Sequence, residues 1–407
     1  MSKHSVRILI LEPSAISEDR THHATALKGH TKVFLSNGFD VIWAPHVDSS
    51  VTMERVVSYP TFPYTVYDDV RAGRTGLRRT LRRVLYHRLQ TQVSRLTEKI
   101  LTSTRIRSGD NVFIPTTDRF LFGAVSHYLK RCDAGTAPTF HLIIMYEQAA
   151  WMTGGYPYAK MLRYLRNNTQ LGEQIFVYTE TKRHAERLSA ALKIPVACYP
   201  YPSIPLDDNK RNSASGECVR VGVVGGGRRD KGFHRLPEIV RGFNELHRGG
   251  RKVSFVIQKP RAQDCLEDHV QDLGRISNVV LLDNQVSQDE YKENLRSYDA
   301  LLFPYDQNVY GVRGSGAISE ALAYGKPFVC TSGTSLEEGI THGNGIAAPT
   351  TEKFAIAIGR VVTDIHRYKA EAAHAARAYA NRLYNNPVVR NMNRSFDRDA
   401  VVSSDAP

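Results

Sequence analysis

The chain has 407 residues, 54 Lys plus Arg against 41 Asp plus Glu, and a formal net charge of +13. Its 42% hydrophobic and 23% charged residues are ordinary globular composition, which excludes collagen-like, low-complexity and strongly disordered classes. The five cysteines (Cys132, Cys198, Cys218, Cys265, Cys330) are odd in number and include no C-x-x-C pair, so a disulfide framework or zinc module is not expected and a reducing compartment is.

The first apolar run, Val6-Arg7-Ile8-Leu9-Ile10-Leu11, stops at Glu12, too short for a signal-peptide core or a membrane span. A cytoplasmic protein is expected, either soluble or held peripherally on the inner face of a membrane. The run reads as a buried strand. A helical stretch around His22 to Asn37 ends at Gly38, and Asp40-Val41-Ile42-Trp43 begins a second strand, which makes a β–α–β unit.

Between Arg71 and Thr97 stand eight arginines (Arg71, Arg74, Arg78, Arg79, Arg82, Arg83, Arg88, Arg95) and no acid. Such a segment suits an anionic partner, and the bland alternative is a solvated basic helix. Taken as one helix over 77–96, it places Leu77, Leu81, Val84, Leu85, Leu89, Val93 and Leu96 on one broad face that would pack on the sheet. Arg79 and Arg83 fall opposite, and Arg78, Arg82 and Arg88 fall within or beside the face. The expected result is a docked helix with a basic outer ridge that meets an anionic membrane. Nucleic acid is not expected, because only Tyr86 interleaves the cations and no recognition motif accompanies them.

Further short apolar runs at 111–115, 139–145, 174–178 and 195–198 alternate with helix-length stretches. Pro200, Pro202 and Pro205 then lead into a polar segment that reads as a connection. The alternation restarts at 219–224 and continues at 253–257, 279–282, 300–303 and 327–330, with a last helical stretch from about Lys353 to Tyr384. The expected fold class is α/β, two doubly wound Rossmann-like domains facing a cleft. Residues 1–200 form the first domain, 201–217 a linker, 218–384 the second domain and 385–407 a tail, with Ser403–Pro407 disordered.

Two constellations carry chemistry. In Val223-Val224-Gly225-Gly226-Gly227-Arg228-Arg229-Asp230-Lys231-Gly232-Phe233 a strand runs into a glycine turn and then cations; Arg grips phosphate oxygens bidentately and Lys acts as a mobile point charge. Gly222-x-x-Gly225 also invites a dinucleotide reading, but the cations stand where small apolar helix residues should follow. In the second, a loop with Tyr310 and Arg313 reaches Gly314-Ser315-Gly316, which opens a helix that closes at Gly325. Glycines there let backbone N–H groups approach a ligand, and the helix dipole favours an anion such as a diphosphate. Glu320, inside that helix, suits the hydroxyls of a ribose or sugar.

Together, Arg…Lys-Gly-Phe and the later Gly-Ser-Gly-x-x-x-Glu-Ala-Leu-Ala-x-Gly-Lys-Pro resemble the C-terminal half of the group 1 (family 4-like) glycosyltransferases with the two-domain GT-B fold, over about Val219 to Val362. The resemblance implies sugar transfer from a nucleoside diphosphate sugar to a hydroxyl, usually with retention, in cell-surface polysaccharide or glycolipid synthesis. It assigns donor diphosphate binding to Arg228, with Arg229 competing, and to Lys231, Gly314, Ser315 and Gly316, and ribose binding to Glu320. Arg313 joins the diphosphate set. No cofactor or metal is expected: no D-x-D triplet stands at a strand end, and Asp207-Asp208 lies in the linker.

Two departures stand out. Val312 occupies the place of the family's first glutamate, and Glu12-Pro13-Ser14 replaces its N-terminal glycine loop. On the acceptor side, Glu12, Asp118 and Glu147 follow strands, with His22 and His23 nearby. Glu147, where the family often has a histidine facing the donor, is the catalytic candidate. A sugar-nucleotide epimerase, or a non-catalytic sugar-nucleotide-binding protein, is the alternative.

Overall fold

Runs of Ile, Leu, Val and Phe with no polar alternation are the mark of strands covered on both faces, and in both halves of the chain they form parallel sheets. The structure is a computed structural model that describes residues 6–17, 22–66, 79–133, 136–145, 174–204 and 218–393. The chain divides into two units, Met1–Pro202 with Leu383–Pro407, and Ser203–Arg382.

In the first unit β1 (Arg7–Glu12), β2 (Asp40–Pro45), β3 (Val57–Ser58), β4 (Asn111–Ile114), β5 (Thr139–Ile143), β6 (Ile175–Thr179) and β7 (Val196–Cys198) form a seven-stranded sheet in the order β3-β2-β1-β4-β5-β6-β7. Its helices are α1 (His22–Ser36), α2 (Arg79–Ser103), α3 (Arg119–Leu129) and α4 (Lys182–Leu192). Ile8, Leu9, Ile10 and Leu11 are fully buried, as a central parallel strand requires. Asp118 caps α3 by accepting from Leu121 N at 2.8 Å.

In the second unit β8 (Cys218–Val223), β9 (Lys252–Gln258), β10 (Val279–Leu282), β11 (Ala300–Phe303), β12 (Phe328–Thr331) and β13 (Gly345–Ala348) run in the order β10-β9-β8-β11-β12-β13. The helices are α5 (Leu236–Leu246), α6 (Glu267–Gly274), α7 (Gln288–Ser297), α8 (Gln307–Tyr310), α9 (Gly316–Ala323), α10 (Thr351–Thr363) and α11 (Ile365–Tyr384). Because β8 lies between β9 and β11, the strand order reverses there, and the carboxyl ends of β8 and β11 form the crevice where such sheets take ligands.

Several sequence expectations change. The last helical stretch is two helices: Asp364 leaves helical geometry at φ −103°, ψ 32°, and Asp competes for backbone hydrogen bonds. The units divide after Pro202 and again after Arg382, because residues 383–393 pack on the first unit, with Val388 and Met392 fully buried there. Ser403–Pro407 lie outside the described residues. The packing face of α2 is also corrected. Val93 and Ile100 are buried with Tyr86, Leu89 and Leu96 against them, whereas Val84 and Leu85 are 45% and 48% exposed. The face is set by α3: Tyr86 meets Phe120 at 5.2 Å between ring centroids, and Arg119 lies 4.3 Å from the Tyr86 ring. Among the described residues, no helix is long and apolar enough to cross a membrane.

Three of the buried histidines of the first unit, His30, His141 and His184, are neutral. His141 Nε2 donates to Asn111 Oδ1 at 2.9 Å, and its Nδ1 accepts from the Tyr178 hydroxyl at 3.0 Å, which itself accepts from Asn391 Nδ2 at 2.9 Å. Burial pushes His30 and His141 down to about 3, and burial followed by the Arg187 charge takes His184 to about 4. The unfolded chain takes up these protons below about pH 6.5, so it binds more protons than the folded state from there downward and stability falls with pH by up to about 1.4 kcal/mol per pH unit per histidine. Trp43 is fully buried in this unit. The urea midpoint followed by tryptophan fluorescence is therefore expected to drop between pH 7 and pH 5; an unchanged midpoint would contradict the neutral-histidine assignment.

Candidate active site

The carboxyl end of β8 turns through Gly225 and Gly226, whose φ values of +89° and +70° are open to glycine and strained for other residues. Space adds to the demand at Gly225, where a Cβ would lie 2.6 Å from Lys231 Nζ and 3.9 Å from Ala317 Cβ. The turn and the first residues of α9 thus converge on one point. Gly232 fastens the far end of the turn: its φ is +74°, and a Cβ there would lie 1.8 Å from the Pro304 carbonyl oxygen, just beyond β11. Asp306 N completes the link by donating to Asp230 O at 2.9 Å.

Lys231 sits in the middle of this frame. Its Nζ donates to the Gly225 carbonyl and lies 5.6 Å from the centroid of the Tyr305 ring. Burial, then the neighbouring Arg228 and Arg313 charges, lower it to about 8, against the opposing pull of Asp230 and Glu320. Glu320, on α9, accepts from the Tyr291 hydroxyl of α7. Burial raises its carboxyl, while the Tyr291 bond and the Lys231 charge hold it down.

Arg228 is not an open cation. Its Nε and Nη2 donate to the two carboxylate oxygens of Asp230 at 3.0 and 2.9 Å, and Nη2 also donates to the Tyr310 hydroxyl at 3.1 Å. This fork fixes the plane of the guanidinium and cancels much of its charge. Arg229, the competing arginine of the sequence, is exposed. Arg313 lies 5.4 Å from the Tyr310 ring, and the loop between them is tied down by Ser335 Oγ, which donates to the carbonyls of Tyr310 (3.2 Å) and Arg313 (2.5 Å). Val312 is half-buried in that loop. α9 begins with Ser315 as N-cap in extended geometry and without a side-chain capping bond, so its first N–H groups, at Gly316 and Ala317, have no capping side chain, and Ala317 packs beside the Gly225 turn that Lys231 also meets.

The second unit therefore brings Arg228, Lys231, Arg313, the Gly314–Gly316 segment and Glu320 to one sheet edge. Glu147 lies outside the described residues. In the first unit Glu12 and His23 are both buried, with Glu12 Oε1 3.4 Å from His23 Nδ1 and accepting from Ser14 N at 3.1 Å. Asp118 is raised to about 7 by burial, against bonds from Leu121, Tyr64 and Phe120, with Glu12 adding to the rise. Sequence reasoning missed Asp230, Tyr291, Tyr305 and Tyr310 as partners. Asp230 was visible inside the motif; Tyr291, 29 positions before Glu320 on a polar helix, carried no local signal.

Two parallel doubly wound units, the second with its polar cluster at the switch point of the sheet, define the GT-B class of glycosyltransferase folds. Within that class, residues 219–364 match the family model described as glycosyl transferases group 1. No curated protein sequence matches the chain. Similar solved structures include a glycosyltransferase from Rickettsia africae (11% identity, 99% of this chain and 100% of that one, TM-score 0.63). A UDP-forming α,α-trehalose-phosphate synthase from Burkholderia vietnamiensis follows (14%, 97% and 99%, TM-score 0.63). HepE of Anabaena, in complex with UDP and glucose, is a third (13%, 98% and 100%, TM-score 0.57). At these identities the likeness is one of fold.

Tyr291→Phe removes the hydroxyl that faces a half-buried carboxylate. It is expected to lower the stability of the second unit by about 1–3 kcal/mol at pH 7, read as a shift in the denaturation midpoint; an unchanged midpoint would show that Glu320 does not depend on this bond.

Proposed function

We propose that the protein transfers a sugar from a nucleoside diphosphate sugar, with UDP as the nucleotide, to a hydroxyl acceptor in the synthesis of a cell-surface polysaccharide or glycolipid at the inner face of a membrane, with retention at the anomeric carbon. The observation that carries the reading is a desolvated lysine facing the uncapped start of a helix, with a ribose-type carboxylate one turn further on. UDP in HepE and the UDP-forming synthase support the choice of nucleotide; the match of residues 219–364 to the group 1 glycosyltransferase model supports the reaction class.

In this reading the diphosphate lies between Lys231 Nζ and the N–H groups of Gly316 and Ala317. Tyr291 occupies Glu320 Oε2 and turns Oε1 towards the ribose hydroxyls. As the bond from the anomeric carbon to the diphosphate oxygen breaks, the electron pair goes to the diphosphate. The lysine charge and the helix dipole then stabilise that oxygen more than they stabilise the intact donor, which is the condition for accelerating the step. The acceptor oxygen forms the new bond and its proton leaves with the departing diphosphate. Arg228, held by Asp230, contributes direction and a fixed donor plane more than net charge.

Lys231 titrates near 8, so its cationic form disappears as pH rises through that value. A diphosphate diester does not titrate in this range, and calorimetry with UDP-glucose is expected to show affinity falling about tenfold from pH 7 to pH 9. Lys231→Met is expected to bind weakly at both values and lose the dependence, and Glu320→Ala to weaken binding without removing it. Affinity that is flat with pH, or wild-type affinity in Lys231→Met, would take Lys231 out of the donor site.

A further inference from the structure

The correction to α2 has a functional consequence. Val84, Leu85, Arg88, Thr91, Gln92, Arg95 and Lys99 are all exposed. At about 100° per residue, Val84, Arg88, Thr91 and Arg95 form one stripe along the helix, with Leu85 and Lys99 beside it. The opposite side, Leu89, Val93, Leu96 and Ile100, is spent on the core. An open depression runs along the outward side between Arg88 and Arg95. Neither arginine has an ion-pair partner among the described residues. The first acid after the arginine run, Glu98, is held by Arg131 Nη1 at 3.2 Å and His127 Nδ1 at 3.4 Å.

We propose that this face of α2 docks on a bilayer of anionic phospholipid, with Arg88, Arg95 and Lys99 on headgroup phosphates and Val84 and Leu85 entering the acyl boundary. Two aliphatic side chains left in water at one end of a stripe of cations that meet no acid among the described residues fit an interface that is charged at the surface and apolar just beneath it. A polynucleotide would use the cations and leave Val84 and Leu85 idle. It would also want exposed aromatic surface, and Tyr86, the aromatic residue of this stretch, packs on Phe120. Arginine suits the role because its stem covers apolar surface while its head stays with phosphate. The inference deepens the acceptor half of the proposed function, a membrane-borne acceptor, and uses nothing from the donor site; its failure leaves UDP-sugar binding untouched, and failure of the donor reading leaves vesicle binding untouched.

The test is co-sedimentation of the full chain with vesicles of phosphatidylcholine alone or with about one third phosphatidylglycerol, near physiological salt. Binding is expected to need phosphatidylglycerol. Arg88→Gln/Arg95→Gln is expected to lower the partition coefficient about thirtyfold, about fivefold per cation, and Val84→Ser/Leu85→Ser to lower it several-fold. All four positions are exposed, so melting temperatures should match the wild type and serve as the folding control. Absence of phosphatidylglycerol-dependent binding, or wild-type binding by the arginine pair variant, would overturn the proposal. So would a Val84→Ser/Leu85→Ser variant that binds these vesicles as the wild type does and is displaced by single-stranded RNA, since the face would then be a general polyanion surface.

Discussion

One half-buried lysine at a sheet edge constrains the rest of the second unit. A buried ammonium is tolerated only where fixed dipoles and charges replace its hydration. The Gly225 carbonyl, the Tyr305 ring and the Glu320 carboxylate do so here. Each imposes a demand in turn. The carbonyl is within reach only because Gly225 turns with positive φ and has no Cβ to meet the ammonium; the carboxylate, itself raised by burial, is held by Tyr291 from a separate helix. The compensation is incomplete, since Lys231 remains lowered to about 8. An anion placed beside it and against the first N–H groups of α9 relieves that strain, which ties the stability of the site to the chemistry proposed for it.

Arg228 and Lys231 stand three positions apart and have different physical tasks. The guanidinium is already paired along its Nε–Nη2 edge, by Asp230 and Tyr310, and behaves as a rigid strut across the β8 and β11 loops. The ammonium is the group with unmet demand. Sequence chemistry treats both as phosphate ligands; desolvation and pairing separate them. The same logic applies to α2, where the arginines of consequence, Arg88 and Arg95, are exposed and meet no acid among the described residues.

The fold was legible wherever strands are buried on both faces, because such strands are short runs dominated by apolar residues, even where His141 or Arg220 interrupts them, and most begin and end in the sequence about where they do in space. β3 escaped because two residues carry no period, and β13, Gly-Ile-Ala-Ala, because its residue types have little strand preference. The donor-side cluster was legible from glycines and cations adjacent in sequence. Its second layer was not: Tyr291 with Glu320 and Tyr310 with Arg228 are joined by topology across 29 and 82 positions. The α2 face was misjudged for a related reason. Periodicity identifies a helix and its apolar residues, but which sector is covered depends on where α3 sits, and that left Val84 and Leu85 in water.

Where a diphosphate binds is tested most directly by a crystal structure of the protein with UDP. The prediction is a β-phosphate within hydrogen-bonding distance, about 3 Å, of Lys231 Nζ and of the Gly316 or Ala317 N–H, with a ribose hydroxyl on Glu320 and the Arg228–Asp230 pair intact. UDP bound elsewhere in the chain, or bound at this edge through Arg229 with Lys231 still turned onto the Gly225 carbonyl alone, would contradict it.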